Sequence, residues 1–265
     1  MGEGTEPITF GSARADGVTT LTMGLAAVLG ARRRTVVIDL NLESSEVAPF
    51  LDLEEQRTIY HLAYGAQLAP ISDEDLRKHL QWHDGFAIVA GISHPEHRVQ
   101  IHQHFVGSLI QASRAQFERV LIDGGRLHGT FPAELTSGRM LWVLTPRPLG
   151  LAAFDRTYRA LDAADTPWLQ KTQVVLNRVS LQTLAEVASF IHSEYGLTVV
   201  GEVSDCPSFW SAAELSHSLR ALSSPLADRR EYVRAYGEEA LRMRTDLEAL
   251  AERLAALSPV VAARG

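Results

Sequence analysis

Cysteine is nearly absent from this chain. The single Cys206 excludes an internal disulfide and any CxxC metal or redox site, as expected of a cytoplasmic protein. Long apolar runs are missing too: none approaches the roughly 20 residues that span a bilayer. Residues 1–7 are acidic and polar, which argues against a secretory signal. Positive charge is not in excess. With a formal net charge of −7 and a pI near 5.8, there is no global electrostatic drive toward nucleic acid. The densest basic run, Arg32-Arg33-Arg34, reads as a solvated turn. No GxSxG elbow is present to support a serine hydrolase. His79, His83, His94, His97, His102 and His104 lack a supporting acidic motif and read as solvated or partly buried side chains rather than metal ligands.

What is present is an ordinary globular composition, 46% hydrophobic and 22% charged over 265 residues. Short β-branched runs near 7–11, 35–40, 86–91, 119–123, 140–145, 173–177 and 197–203 read as strands. Several are apolar without alternation, as strands buried on both faces should be. Helical patterns fill the gaps, notably 98–116, 150–164 and 181–195. The alternation predicts an α/β fold of three layers, a mostly parallel sheet flanked by helices, with ligands at the carboxyl ends of the strands. Residues 1–225 form the main domain. Residues 226–265 hold one long helix over 228–257. Its stripe of Tyr236, Ala240, Met243, Leu247, Leu250, Leu254 and Leu257 serves either to pack on the domain or for association.

The N-terminal segment carries the most chemistry. The strand Ile8-Thr9-Phe10-Gly11-Ser12 is followed by Ala13-Arg14-Ala15-Asp16-Gly17-Val18-Thr19-Thr20 and then an apolar helix. Strand, loop and Gly-x-Thr-Thr opening a helix is the layout of a nucleotide-phosphate cradle, here of the P-loop NTPase type. Three further segments end in polar residues: Val36-Val37-Ile38-Asp39-Leu40-Asn41, Val120-Leu121-Ile122-Asp123-Gly124-Gly125, and Val174-Val175-Leu176-Asn177-Arg178.

In that order, these segments resemble the MinD/ParA superfamily of deviant Walker-A ATPases, over roughly residues 7–225. Within it, Ile38-Asp39-Leu40-Asn41-Leu42 and Phe86-Ala87-Ile88-Val89-Ala90-Gly91 with Ser93-His94-Pro95-Glu96 are similar to the CpaE/TadZ pilus-assembly branch. The resemblance implies ATP or ADP with Mg²⁺ as cofactor. Thr19 and Asp123 would be its magnesium residues. Arg14, Gly17, Thr20, Asn177 and Arg178 would be further nucleotide contacts, with Asn177 reading adenine.

The chain departs from the family pattern where the chemistry lies. Ala13 and Val18 stand at the two lysine positions, Arg14 and Ala15 at two glycines. Asp16 adds a negative charge to the loop. Asp39 keeps the first acid of the second-strand pair, but Asn41 replaces the second and cannot act as a base. Gly124-Gly125-Arg126-Leu127-His128-Gly129 replaces the proline-containing switch. The resemblance therefore implies a pseudo-ATPase, with no confident catalytic residue and with weak or absent nucleotide binding. It would be a dimeric positioning or assembly scaffold for a pilus or polar cell-envelope machine, recruited to a pole or membrane by protein partners. The alternative is an active, ATP-gated dimerising ATPase that positions a chromosome, plasmid or division site, with Arg14 doing a lysine's work.

Overall fold

In the computed structural model, residues 6–66, 69–127, 138–180, 184–207, 215–226 and 228–256 are described. Eight strands form one sheet: β1 (Ile8–Ser12), β2 (Thr35–Asp39), β3 (Gln81–His83), β4 (Phe86–Val89), β5 (Arg119–Arg126), β6 (Arg139–Leu144), β7 (Thr172–Val179) and β8 (Val199–Ser204). Their order is β3-β4-β2-β5-β1-β6-β7-β8. Every pairing is parallel except β3 with β4. The expected three-layer, mostly parallel architecture is therefore the one observed.

Alternation along the buried strands feeds two separate cores. Val36, Ile38, Val120, Ile122, Trp142, Leu144, Val174 and Leu176 enter one cluster. It is covered by α3 (Ile59–Ala66), α4 (Asp73–His79), α5 (Gln103–Gln116), α6 (Pro148–Ala163) and α7 (Leu184–Tyr195). Phe10, Val37, Leu121, Leu141, Val143 and Val175 enter the other, beneath α1 (Val18–Gly30), α2 (Val47–Leu51), α8 (Leu215–Ser223) and α9 (Arg229–Ala256). Helix α1 is apolar nearly all round because it is sandwiched between the sheet and α8 and α9.

Three expectations change. The helix expected over 98–116 is split into a 3-10 turn, Pro95–Gln100, and α5. The C-terminal helix is not continuous: Gly237 (φ 87°, ψ 167°) interrupts α9, a conformation that costs glycine little. The antiparallel strand β3 was not anticipated. Asp84-Gly85, both at positive φ, is the two-residue hairpin turn that brings it back along β4. The stripe of α9 faces inward, with Ala240, Met243, Leu247, Leu250 and Leu254 all buried in the second core. Leu257, His128 and Gly129 of the altered switch, and positions 181–183 of the helix expected over 181–195 lie outside the described residues.

Candidate functional site

The carboxyl ends of β1, β2, β5 and β7 meet at one rim. The chain leaves β1 and returns on either side of it, to β5 and to β6. That is the kind of switch point where a crevice opens in a parallel sheet. A cavity of about 430 Å³ lies there, lined by the loop after β1, the start of α1, the segment after β2, and the ends of β5 and β7. Gly17, Thr19, Thr20, Arg14, Asn41 and Arg178 all border it, as do Val18 and Arg126. The structure thus brings these residues together on one surface, while Asp39, Asp123 and Asn177 do not line it.

Gly17 sits at φ 83° as the N-cap of α1. An added Cβ there would lie 2.8 Å from Asn177 Nδ2 and 3.4 Å from Arg178 Nη2, so both the conformation and the space require glycine. Thr20 Oγ1 donates to the Gly17 carbonyl at 3.0 Å. Within the loop, the Asp16 N–H donates to the Arg14 carbonyl at 2.8 Å, and the Ser12 hydroxyl donates to the same oxygen. Asp16 does not border the cavity. It is only 2% exposed and lies beneath the loop, where Asn177 Nδ2 donates to its carbonyl at 2.8 Å. Burial pushes its carboxyl above the usual range, against the pull of Thr145, Arg14 and Arg178. The expected extra negative charge in the loop is thus turned away from the cavity.

Asp39 and Asp123 are partners in register on β2 and β5, buried at 0% and 1% exposure. Burial pushes Asp39 up to about 7, with the charge of Asp123 adding to it. The Ser45 hydroxyl (2.6 Å) and the Asn41 N–H (3.0 Å) pull the other way. Asp123 is pushed by burial to about 6, eased by the Thr19 hydroxyl and the Gly125 N–H. One oxygen of Asp123, Oδ2, has no hydrogen-bond partner among the described residues. Thr19 borders the cavity in front of it, so these two are the residues able to hold a divalent cation. Asn41 is a turn former here. Its amide donates to the Ser44 carbonyl at 2.6 Å, and its Oδ1 accepts from the Ser44 N–H at 3.3 Å.

Val18 is 6% exposed and belongs to the second core. Neither of the chain's two lysines, Lys78 and Lys171, stands in for the missing ones. Lys78 pairs with Glu74 on α4 at 2.8 Å. Lys171 immediately precedes the amino end of β7, opposite the rim. The histidines do not gather: His97 stacks on Tyr60 (3.7 Å between ring centres) and meets His94 edge-on. Among the described residues, no group of three His, Cys, Asp or Glu has metal-holding geometry. Glu43, Glu46, Phe50 and Arg126 also line the cavity, and sequence reasoning did not count Arg126 among its site residues. It was visible only as part of the altered switch.

No protein-family model and no curated protein matches this sequence. Solved structures do match it along nearly the whole length. A ParA family ATPase from Chlorobium tepidum has a TM-score of 0.72 at 13% identity, covering 94% of this chain and 98% of that one. The septum site-determining protein MinD of Pyrococcus horikoshii, in complex with Mg-ADP, gives 0.66 at 18%, covering 95% and 96%. MinD in the Aquifex aeolicus MinC:MinD complex gives 0.66 at 16%, covering 98% and 99%. The chain has the fold of the ParA and MinD ATPases.

Proposed function

We propose that this chain is a scaffold of the ParA/MinD fold that positions or assembles a cell-envelope machine, a pilus being the case that the CpaE/TadZ resemblance favours, and that it has given up ATP hydrolysis. The observation that carries this reading is Val18. The position that should neutralise the transferred phosphate is a buried apolar residue, and no lysine of the chain is placed to replace it. The charge that develops during phosphoryl transfer is normally met by that lysine together with the metal. Asn41 supports the reading from the other side, because its side chain closes a turn with Ser44 and offers no base to an attacking water.

Thr19 and Asp123 would hold a magnesium ion, with Arg178 on the cavity wall and Asn177 behind the loop; with both lysine positions apolar, nucleotide is held weakly and is not turned over. Bound Mg-nucleotide would supply charge bridging at the phosphates. The chain's own residues would orient it at the start of α1. The partners are a second copy of the chain and proteins of the machine. A structural relative solved together with MinC is consistent with a protein-binding role.

Light scattering with and without ATP and Mg²⁺, beside a phosphate-release assay, tests this. A constant mass and no turnover are expected, in the wild type and in Asp123→Ala alike. An ATP-dependent mass change lost in Asp123→Ala would instead establish an ATP-gated switch.

A further inference from the structure

The far end of the sheet carries a second polar constellation. Strand β4 starts at Phe86 and runs parallel to β2, so the hairpin turn Asp84-Gly85 before it lies opposite the rim and its cavity. Gly30, the last residue of α1, packs against this turn. A Cβ there would come within 2.9 Å of the Gly85 carbonyl oxygen. The turn is thereby fixed, with Asp84 at φ 40° and Gly85 at φ 95°. Helix α8 presents Ser216 and Arg220, one turn apart, to the hairpin.

His83 joins the two elements. Its Nε2 lies 3.1 Å from the hydroxyl of Ser216, 133 residues later in the chain. Its Nδ1 lies 3.2 Å from Asp84 Oδ2. Among the described residues, both atoms of this second contact are buried without a hydrogen-bond partner, so ring and carboxylate answer one another across it. Arg220 Nε approaches the other carboxylate oxygen at 3.8 Å. A proton on Nδ1, held by the Asp84 charge, leaves Nε2 as an acceptor for the serine hydroxyl. Burial pushes His83 below the ordinary histidine range, with Asp84 pulling it back and Arg220 adding to the fall. The ring is therefore neutral near pH 7 and able to take a proton. Ser216 itself is exposed.

Serine, histidine and aspartate in series are nucleophile, general base and orienting acid. Such a set is known by geometry and roles, not by chain order, so the absence of a GxSxG elbow does not bear on it. Its contacts are often loose before substrate arrives and tighten as it binds. The N–H groups of Ser216 and His217 stand in the first turn of α8, without acceptors inside the helix. They are donors for an oxyanion formed at Ser216.

We propose that Ser216, His83 and Asp84 form a second active centre, one that hydrolyses small carboxylic esters. Ser216 Oγ attacks the ester carbonyl carbon, and His83 Nε2 takes its proton. The C–O bond to the alcohol breaks, and His83 passes the proton to the departing oxygen. Water then adds to the acyl-serine, again through His83, releasing the carboxylic acid and restoring Ser216. The sum is ester and water giving acid and alcohol. Esters are preferred to amides because an alcohol leaves more readily than an amine. The exposed position of Ser216 suits small acyl groups that need no deep pocket. Asp84 is a positioning residue that acts through His83.

Incubation of the full chain with a fluorescent alkyl fluorophosphonate, followed by digestion and mass spectrometry, tests this. One label per chain is expected, on Ser216, together with turnover of p-nitrophenyl acetate. Ser216→Ala should abolish both, and His83→Gln should slow both by at least about 100-fold, the usual share of a general base. Asp84→Asn keeps a residue suited to the positive φ of the turn. It should slow labelling by at least about tenfold. The midpoint of its pH profile should move down, because the charge that raises the His83 pKa is gone while Arg220 stays. Thermal melts establish that the variants fold. Label on another residue, labelling that His83→Gln leaves at the wild-type rate, an Asp84→Asn profile with the wild-type midpoint, or no label at all would overturn the proposal. ATP turnover at the rim is read separately, so the failure of either reading leaves the other standing.

Discussion

The Asn177 amide donates to the Asp16 carbonyl at 2.8 Å, so Asn177 braces the loop between β1 and α1 from beneath. Both partners are buried. A buried donor and acceptor left unpaired cost more than a net hydrogen bond contributes. Asn177→Ala is expected to destabilise the chain by about 1–3 kcal/mol, read as a lowered urea midpoint with an unchanged slope. An unchanged midpoint would mean that the loop holds its shape without this brace.

Asp16 contributes the opposite sign. Burial raises its carboxyl above the unfolded value, so the native state binds a proton that the unfolded chain has released, and stability falls as pH rises through that interval. Asp16→Asn removes the buried charge. It should raise the melting temperature at about pH 8 and change little near pH 4. Equal shifts at both pH values would point to packing rather than charge.

The Asp39–Asp123 pair makes the same argument on a larger scale. Asp39 is pushed to about 7 and Asp123 to about 6, both above an unfolded carboxyl near 3.9. Wild-type stability should therefore decline between about pH 4 and pH 7, as the unfolded carboxyls release protons that the native pair still holds. In Asp39→Asn that decline should be visibly shallower in melts run across the range. A parallel pH profile would sink the idea that this pair stores repulsion.

Val18→Lys restores the phosphate-neutralising charge at the first residue of α1. Because Asp16 points away from the cavity, the single change is expected to suffice, without Asp16→Gly. ADP affinity should rise by at least about tenfold, about 1.4 kcal/mol. Calorimetry reads it out, and no gain would show that the loop amides do not face the ligand.

Helix α9 is part of the core. Leu250 is 1% exposed and lies so close to Gly201 on β8 that a Cβ there would come within 2.6 Å of it. Leu250→Ala should cost about 2–5 kcal/mol. Ending the chain at Pro225 should abolish the cooperative melt, not only self-association. A trimmed chain that melts normally would return α9 to the role of an association helix.

The main elements were legible in the sequence because each is specified locally. Uniform apolar runs mark strands covered on both faces, Gly17 with Thr19 and Thr20 marks the loop and helix start, and the strand-end positions of Asp39, Asp123 and Asn177 follow from the same runs. The short antiparallel β3 was missed, although Asp84-Gly85 marks its hairpin turn. Substitutions such as Val18 and Asn41 were equally plain, since a missing charge needs no structure to be seen. The direction of each side chain was not legible. Asp16 reads as a loop charge until the sheet closes above Thr145 and buries it. Arg126 and Arg178 read as neighbours of more important residues until shifts in the register of distant strand pairs set both on one cavity wall. Composition and pattern determined the layers and the residues at the loops, among them Val18 and Asn41. Only tertiary pairing decided which charges meet, because orientation at a strand end depends on partners far away in the chain.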